Sequence, residues 1–445
     1  MRSSTSCNSP PRLALHGGPP VRRRPLPLEF PGAHFYGREE RLLTRRVLRA
    51  RSPFRYYGFA RPEMTERFEK EFAQFLGMPH ALAVSSGTAA LTAALMALGV
   101  GPGSEVVLPG YLWVSPVSAV VRLGAIPVLV DVDRSFCLDP EDLRRKLTSR
   151  TRAVIMIHMS GSTGRVAEVA ALCRRRGIPL IEDVAQAVGA SVRGRKLGSF
   201  GDLSTFSFQL NKNMTSGEGG AICARTLRLH RRAQAAHDLG YPRTRAGRLD
   251  LSNRALTSWG IGARMSEMTA ALALAQLRKL PRICAAMRVR KRSLKALLKD
   301  IPGLEFRRID DPTGDSGNFL ITIFPTPAKA AFWVKALRAE GIVTARQGMS
   351  NIRMTDWGMH IYHHIPALVM RAAVSDGNNP WNDSRNRSSV GRTYGKGTLP
   401  ECDDLISRSS LLCIPPTLTR RDLIEISAAF HKVAFAHPLV SGKRR

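Results

Sequence analysis

The chain has 445 residues, enough for one large domain and one smaller one with separate cores, and its hydrophobic fraction of 44% is that of a globular protein. No run approaches the roughly 20 apolar residues of a membrane-spanning helix, and the opening MRSSTSCNSPPRLALHGG lacks the apolar stretch of a secretory signal, with only a faint Ser/Arg likeness to a transit peptide. The net charge of +32 raises a nucleic-acid or membrane partner, but the basic residues are spread along the whole chain in short clusters such as Arg22–Arg24, Arg174–Arg176, His230–Arg232 and Lys443–Arg445, with no interleaved aromatic platform.

An Arg-biased, solvated surface accounts for that charge, so neither nucleic acid nor membrane is expected as a partner. Cys7, Cys137, Cys173, Cys223, Cys284, Cys402 and Cys413 include no CxxC pair. Neither a zinc site nor a disulfide framework is indicated, and a reducing cytoplasm fits.

Residues 1 to about 30 are rich in Pro and Arg and read as an extended arm. From 36 to 78 the apolar spacing predicts helices, with Phe68, Phe72 and Phe75 in ERFEKEFAQFLG. Short apolar runs then recur: HALAVSS (80–86), EVVLPG (105–110), IPVLVDV (126–132), AVIMIH (153–158), IPLIEDV (178–184), STFSF (204–208) and GGAICA (219–224). Helical patterns such as TAALTAALMALG (88–99) and VAEVAALCRRRG (166–177) separate several of them. Arg174–Arg176 close the second, where cations favour the dipole end. Unbroken apolar strands alternating with helices predict an α/β domain with a mainly parallel, doubly covered sheet. The last runs lie too close together for an intervening helix, which leaves room for an antiparallel strand.

MSEMTAALALAQLRKL (265–280) predicts a long helix leading into a smaller domain, with a strand at 317–323 and a helix at 328–340. Residues 371–398 are polar, Asn/Ser/Gly-rich and aperiodic, and read as a long loop; 420–435 reads as a closing helix. The expected organisation is an arm at 1–30, a large domain at 31–285 and a small C-terminal domain at 286–445.

Four segments carry chemistry. In FSFQLNKNMTSGEGG (206–220), Lys212 sits in a polar turn after an apolar strand. A lysine that condenses with an aldehyde needs a lowered pKa; a lone loop lysine is otherwise a solvated charge. In IEDVAQAVGA (181–190), Asp183 ends an apolar strand, where parallel sheets place ligands. It could hold a pyridine nitrogen protonated or cap the next helix. VSSGTAAL (84–91) offers backbone N–H groups and the Thr88 hydroxyl to a phosphate at a helix N-terminus, or forms an N-cap box. In PGYLWVSP (109–116), Trp113 could stack on a flat heterocycle or belong to the core.

In this order the segments resemble the fold-type I pyridoxal 5′-phosphate (PLP) enzymes, and more specifically the DegT/DnrJ/StrS sugar aminotransferases. The resemblance covers about 10 to 435. It includes LALHGGPPVRRRPLP, RYYG at 55–58, SSGTAAL, EDVAQAVGA, GDLSTFSF, SGEGG and the closing LPECDDLISRSSLLCIPPTLTRRDL at 399–423. It implies the fold-type I architecture, with a seven-stranded sheet in the large domain and a smaller α+β domain. It also implies that Lys212 bonds covalently to the PLP aldehyde, Asp183 pairs with the pyridinium nitrogen and Gln186 reaches the phenolic oxygen. Gly87, Thr88, Ala89 and Ser207 would bind the phosphate, and Trp113 would stack on the ring. Related dehydratases carry histidine where this chain has Lys212, so transamination is implied. The donor would be glutamate or glutamine, and the acceptor a keto sugar, often nucleotide-linked, or a keto-cyclitol. The product would be an amino sugar for a surface polysaccharide or secondary metabolite, made by a cytoplasmic homodimer.

One departure stands out. The family's Gly-x-Asn-Tyr-Arg stretch, whose Asn touches the phosphate of the partner subunit, here reads Gly260-Ile261-Gly262-Ala263-Arg264. The rival readings are a PLP-binding protein with little turnover, given Gly262, and a DNA-binding regulator, for which no helix-turn-helix or zinc pattern is visible.

Overall fold

The computed structural model describes residues 12–244, 246–345, 350–375, 377, 379–389 and 391–440. Cys7, the Lys443–Arg445 cluster, the first 11 residues of the arm and parts of 371–398 lie outside the described residues.

The large-domain elements run α1 (Arg38–Ala50), α2 (Met64–Leu76), β1 (His80–Val84), α3 (Gly87–Ala97), β2 (Glu105–Pro109), α4 (Val114–Arg122) and β3 (Ile126–Val130). They continue through α5 (Pro140–Lys146), β4 (Thr151–Ile157), α6 (Val166–Arg176) and β5 (Leu180–Asp183). A small hairpin, β6 (Ser191–Val192) and β7 (Arg195–Lys196), precedes β8 (Leu203–Ser207), β9 (Gly220–Ala224) and α7 (Leu227–His237). The long helix α8 (Glu267–Leu297) leads to β10 (Glu305–Phe306), β11 (Phe319–Ile323), α9 (Pro327–Ala339) and β12 (Ile352–Arg353). The short α10 (Pro366–Val369), then α11 (Pro400–Ser407), β13 (Ser409–Cys413) and α12 (Arg420–Ala436) complete the chain.

The large sheet has seven strands in the order β1-β9-β8-β5-β4-β2-β3. Only β9 runs against its neighbours, pairing antiparallel with β1 and β8. This is the fold-type I architecture, with the expected mainly parallel sheet and β9 as its antiparallel strand. Alternate residues of one strand enter different cores, because successive side chains point to opposite faces. Leu82 and Val84 join the cluster that includes α3 and α4, while Ala81 and Ala83 join the one that includes α2, α6 and α8. Both faces are therefore dry, and the strands read as unbroken apolar runs. Phe68 and Phe72 anchor α2 in the second cluster, whereas Phe75 is only partly buried and packs beneath the Lys196 ammonium.

The small domain holds an antiparallel sheet of four strands, β10-β11-β13-β12, covered by α9 and α12. The predicted strand at 317–323, helix at 328–340 and closing helix at 420–435 correspond to β11, α9 and α12. The predicted helix at 265–280 continues to Leu297, so α8 crosses the boundary expected at 285.

The two segments read as arm and loop are irregular over their described residues, and both are anchored. The described part of the arm is docked: Leu13 and Leu26 are buried in the small-domain core, and the Ala14 and Val21 N–H groups donate to the Glu340 carboxylate. The loop at 371–398 is stapled to the β2–β3 edge of the large sheet. Asn386 bonds Gly103 N and Gly124 O, Tyr394 donates to Pro127 O, and Ser389 and Arg392 donate to buried Glu105. Among the described residues no helix is long and apolar enough to cross a membrane, and no cluster of His, Cys, Asp or Glu could hold a metal ion.

Candidate active site

Six strands of the large sheet point the same way, and the sequence-predicted site residues gather at their C-terminal ends. There Gly87, Thr88, Ala89, Gln186, Ser207 and Lys212 are partly exposed, and Trp113 is 39% exposed, among buried neighbours.

The turn between β1 and α3 brings Gly87 against the end of β8: a Cβ on Gly87 would lie 2.8 Å from Ser207 Cβ. Glycine is needed for this approach, and it sets the α3 N-terminus beside the Ser207 hydroxyl. Ser86 caps α3 by accepting from Ala89 N (3.1 Å). Ala89 N–H is thus used within the cap, while Gly87 and Thr88 N–H find no protein acceptor among the described residues. The Thr88 hydroxyl donates to Ser115 Oγ (2.9 Å), tying the start of α3 to the start of α4, where Trp113 is the N-cap residue. Two unused N–H groups thus lie at the start of α3 with the Ser207 hydroxyl beside them, a geometry suited to an anion.

At the end of β5, two successive carboxylates face opposite ways. Glu182 is fully buried and accepts from Gly198 N (2.8 Å), Phe200 N (2.6 Å), Gly201 N (2.7 Å) and His158 Nε2 (3.3 Å), which fixes the loop before β8. Asp183 uses only Oδ1, which accepts from Ala185 N (3.0 Å); among the described residues Oδ2 has no protein donor. Burial raises the Asp183 pKa, offset by that N–H and by the nearby Lys212 and His158. Burial lowers the Lys212 pKa, offset by Asp183 and Glu218. The site therefore holds a lysine driven toward its nucleophilic, neutral form and a carboxylate short of a partner.

Gln186 is held by residues that carry no sequence motif. Its Oε1 accepts from Ser160 N (2.8 Å), so its Nε2 is the end left to donate outward. Ser160 is buried in a left-handed conformation (φ 52°, ψ 32°), uncommon for a residue other than glycine. Its hydroxyl bonds Tyr111 OH (2.7 Å), and Arg307 donates to its carbonyl and to Met159 O (3.2 Å). Asn318 Nδ2 donates to Gln186 O (3.0 Å). Arg307 and Asn318 come from the small domain, over 120 positions downstream in the sequence.

The small domain also covers Trp113. Tyr111 and Ile361 form an antiparallel bridge, with Leu112 N donating to His360 O (3.0 Å) and Tyr362 N to Gly110 O (3.0 Å). His360 packs against Trp113. Burial lowers its pKa to about 4, with the Lys212 charge acting in the same direction against the hydrogen bond to Trp357 O. Sequence reasoning missed Ser160, Arg307, Asn318 and His360; the aromatic and His density of WGMHIYHH (357–364) was the one available signal.

The 259–264 stretch lies against this site. Ala263 O accepts from Ser85 N (2.9 Å), and Arg264 bridges to Val84. Gly262 has φ +65°, and no atom lies within 4 Å of where its Cβ would be. Arg264 is ion-paired with Asp238.

A family model described as the DegT/DnrJ/EryC1/StrS aminotransferase family matches residues 58–348. The chain is 38% identical over 448 residues to the L-glutamine:2-deoxy-scyllo-inosose aminotransferase of Micromonospora echinospora, covering 97% of this chain and 99% of that protein. It is 39% identical over 297 residues to the protein of the same name from Streptoalloteichus tenebrarius, covering 65% of this chain and 69% of that one. Among solved structures, 3-amino-5-hydroxybenzoic acid synthase matches with a TM-score of 0.72 and 27% identity, over 93% of this chain and 100% of that one.

Proposed function

Because the chain belongs to the DegT/DnrJ/EryC1/StrS aminotransferase family, we propose that it is a PLP-dependent transaminase acting through Lys212. It would move an amino group from glutamine or glutamate to a keto sugar or keto-cyclitol. The name of the relative that matches over nearly the whole chain favours glutamine and a keto-cyclitol within those classes.

The observation that carries this reading is the pairing of a half-satisfied buried Asp183 with a pKa-lowered Lys212 beside an anion-suited helix start. These residues fit PLP. Asp183 Oδ2 would accept the pyridinium N–H, Gln186 Nε2 would donate to the phenolic oxygen, and Trp113 would cover one face of the ring. Gly87 and Thr88 N–H, with the Ser207 and Thr88 hydroxyls, would take the phosphate; Ala89, whose N–H goes to Ser86, would line that turn. When bound, the cofactor supplies an aldehyde for covalent attachment of amines and an electron sink. Lys212 would hold it between turnovers. Once displaced by the donor, Lys212 would carry the proton lost from the donor's α-carbon.

The domain division remains as proposed, with a large domain carrying the cofactor residues and α8 leading into the small one. We also propose a homodimer with the site near its interface. Tyr57, Phe59 (89% exposed), Leu251 and Trp259 (90% exposed) are exposed apolar side chains, and Trp259 opens the 259–264 stretch that adjoins Val84 and Ser85.

The test is a half-reaction. Protein loaded with PLP is mixed with L-glutamine or L-glutamate alone, then with a keto-cyclitol such as 2-deoxy-scyllo-inosose. Bleaching of the cofactor's visible band by donor, and its return with aminated product on adding acceptor, is the expected result. A persistent band marks binding without turnover; no band at all leaves the regulator.

A further inference from the structure

We propose that His360 is a positioning residue: its ring braces the Trp113 indole and so couples the small domain to the ring-covering face of the cofactor pocket. This rests on the reading above, in which Trp113 faces PLP.

Trp113 stands at the N-cap of α4 and is 39% exposed. A side chain so open samples several rotamers, and ordering it on ligand binding weakens the ligand's net affinity. Here the indole is not left open on every side. The His360 ring lies 4.6 Å from it, centroid to centroid, at 45°. His360 is itself stacked on Trp357, at 3.9 Å and 13°. Trp357 in turn meets Phe319 on β11 (5.6 Å) and Tyr111 (6.2 Å). An aromatic chain therefore runs from the small-domain sheet through Trp357 and His360 to Trp113.

Three features fix the middle ring. The main chains of Leu112 and His360 are hydrogen-bonded, so the two side chains are held in register by backbone. His360 Nδ1 donates to Trp357 O (2.5 Å), which sets the tautomer and the ring plane. The ring is 8% exposed and, with its pKa lowered to about 4, neutral at physiological pH. It thus acts as an uncharged aromatic surface, and a flat ring is what the geometry uses.

His360→Ala, His360→Phe and His360→Gln separate the possibilities. Near-ultraviolet circular dichroism of the ligand-free proteins reads the stack directly, and equilibrium titration with PLP in the absence of substrates reads its consequence. We expect the Ala variant to lose part of the aromatic signal and bind PLP about tenfold more weakly, and Phe to restore both to within about twofold. Gln, which keeps polarity without a ring, should behave as Ala. Unchanged spectrum and affinity in the Ala variant would overturn the proposal. So would rescue by Gln but not Phe, which would make the hydrogen bond the essential feature. Should the Ala variant not fold, the Phe and Gln pair decides alone. Wild-type protein that binds no PLP would sink the functional reading, while the ligand-free spectra would still report on the brace.

Discussion

The C-terminal edge of the seven-stranded sheet presents Asp183, Ser207 and the Gly87–Ala89 turn, each within a few residues of a strand end. The four-stranded sheet serves the same cleft with Arg307, Asn318 and His360, which are single side chains on connections after β10, before β11 and after β12. In the first region parallel strands deliver neighbouring residues to one edge, so function is written in contiguous strings. In the second, antiparallel strands return the chain to both ends of the sheet, and contributions arrive singly. The large domain thus supplies the groups that would touch the cofactor, and the small domain supplies groups that hold them in place. Substitutions should divide accordingly: chemistry lost in the first region, affinity and stability in the second.

The sharpest test of this division is Lys212→Ala, expected to abolish transamination while leaving the fold intact. Borohydride trapping of the wild type followed by peptide mapping should label Lys212, and label on any other lysine would break the assignment. Next is Asp183→Asn, expected to retain some PLP binding but to lower kcat by several orders of magnitude, since a neutral amide no longer holds the pyridine protonated. A near wild-type kcat would reduce Asp183 to the turn it already makes with Ala185 N.

How much of this was legible in the sequence follows from the same contrast. Lys212, Asp183, Gln186, Ser207 and Trp113 could be proposed from the sequence because each sits in a string with a recognisable neighbour pattern. Apolar runs disclosed the sheet because both of its faces are covered, and β9 was foreshadowed by the short spacing between the last runs. The Ser160 conformation was invisible: nothing in HMSGSTG marks a serine as left-handed. Arg307 read as one more arginine among many, although it is buried and donates to two carbonyls of the large domain. Arg308 beside it is largely exposed and pairs with Asp133 and Asp310. The arm and the 371–398 loop read as irregular and are so over their described residues, but their anchoring was not legible, because Pro, Asn and Ser signal the absence of regular structure and say nothing of what the segment is tied to.

That adjacent pair of arginines gives the third prediction. Arg307→Met takes the Arg307 donor from Ser160 O, leaves Met159 O with Ser162 N–H, and should cost about 2–3 kcal/mol in urea unfolding. It should also loosen Gln186 through Ser160. Arg308→Met removes a pair with the largely buried Asp133 and one with the more open Asp310, both from a half-exposed guanidinium, and should cost about 1 kcal/mol. Equal effects would show that the small domain's buried contact contributes nothing beyond an ordinary surface pair.

The smallest expected effect concerns Gly262, where the large domain itself lacks a side chain. If the 259–264 segment faces the phosphate of a partner subunit, as the family resemblance implies, the missing amide can be replaced in two ways. Arg264 could swing to the phosphate, or a new side chain could be introduced. The first route is closed by Asp238, whose buried carboxylate would be raised by burial alone but is held below its ordinary pKa by Arg243 and Arg264. Withdrawing Arg264 would leave that charge underpaired. The second route is open, because φ at Gly262 is +65° and its Cβ would meet no atom within 4 Å. Asparagine is among the residues that accept this conformation most readily. Gly262→Asn should therefore cost folding stability about 1 kcal/mol, the strain of a side chain at this φ. It should tighten PLP binding by about 1.5 kcal/mol, roughly tenfold, as one hydrogen bond to a charged group is gained. Light scattering on the same samples must show a dimer. A dimer whose PLP affinity is unchanged would place the segment away from the phosphate, and a stable monomer that still transaminates would refute the shared site.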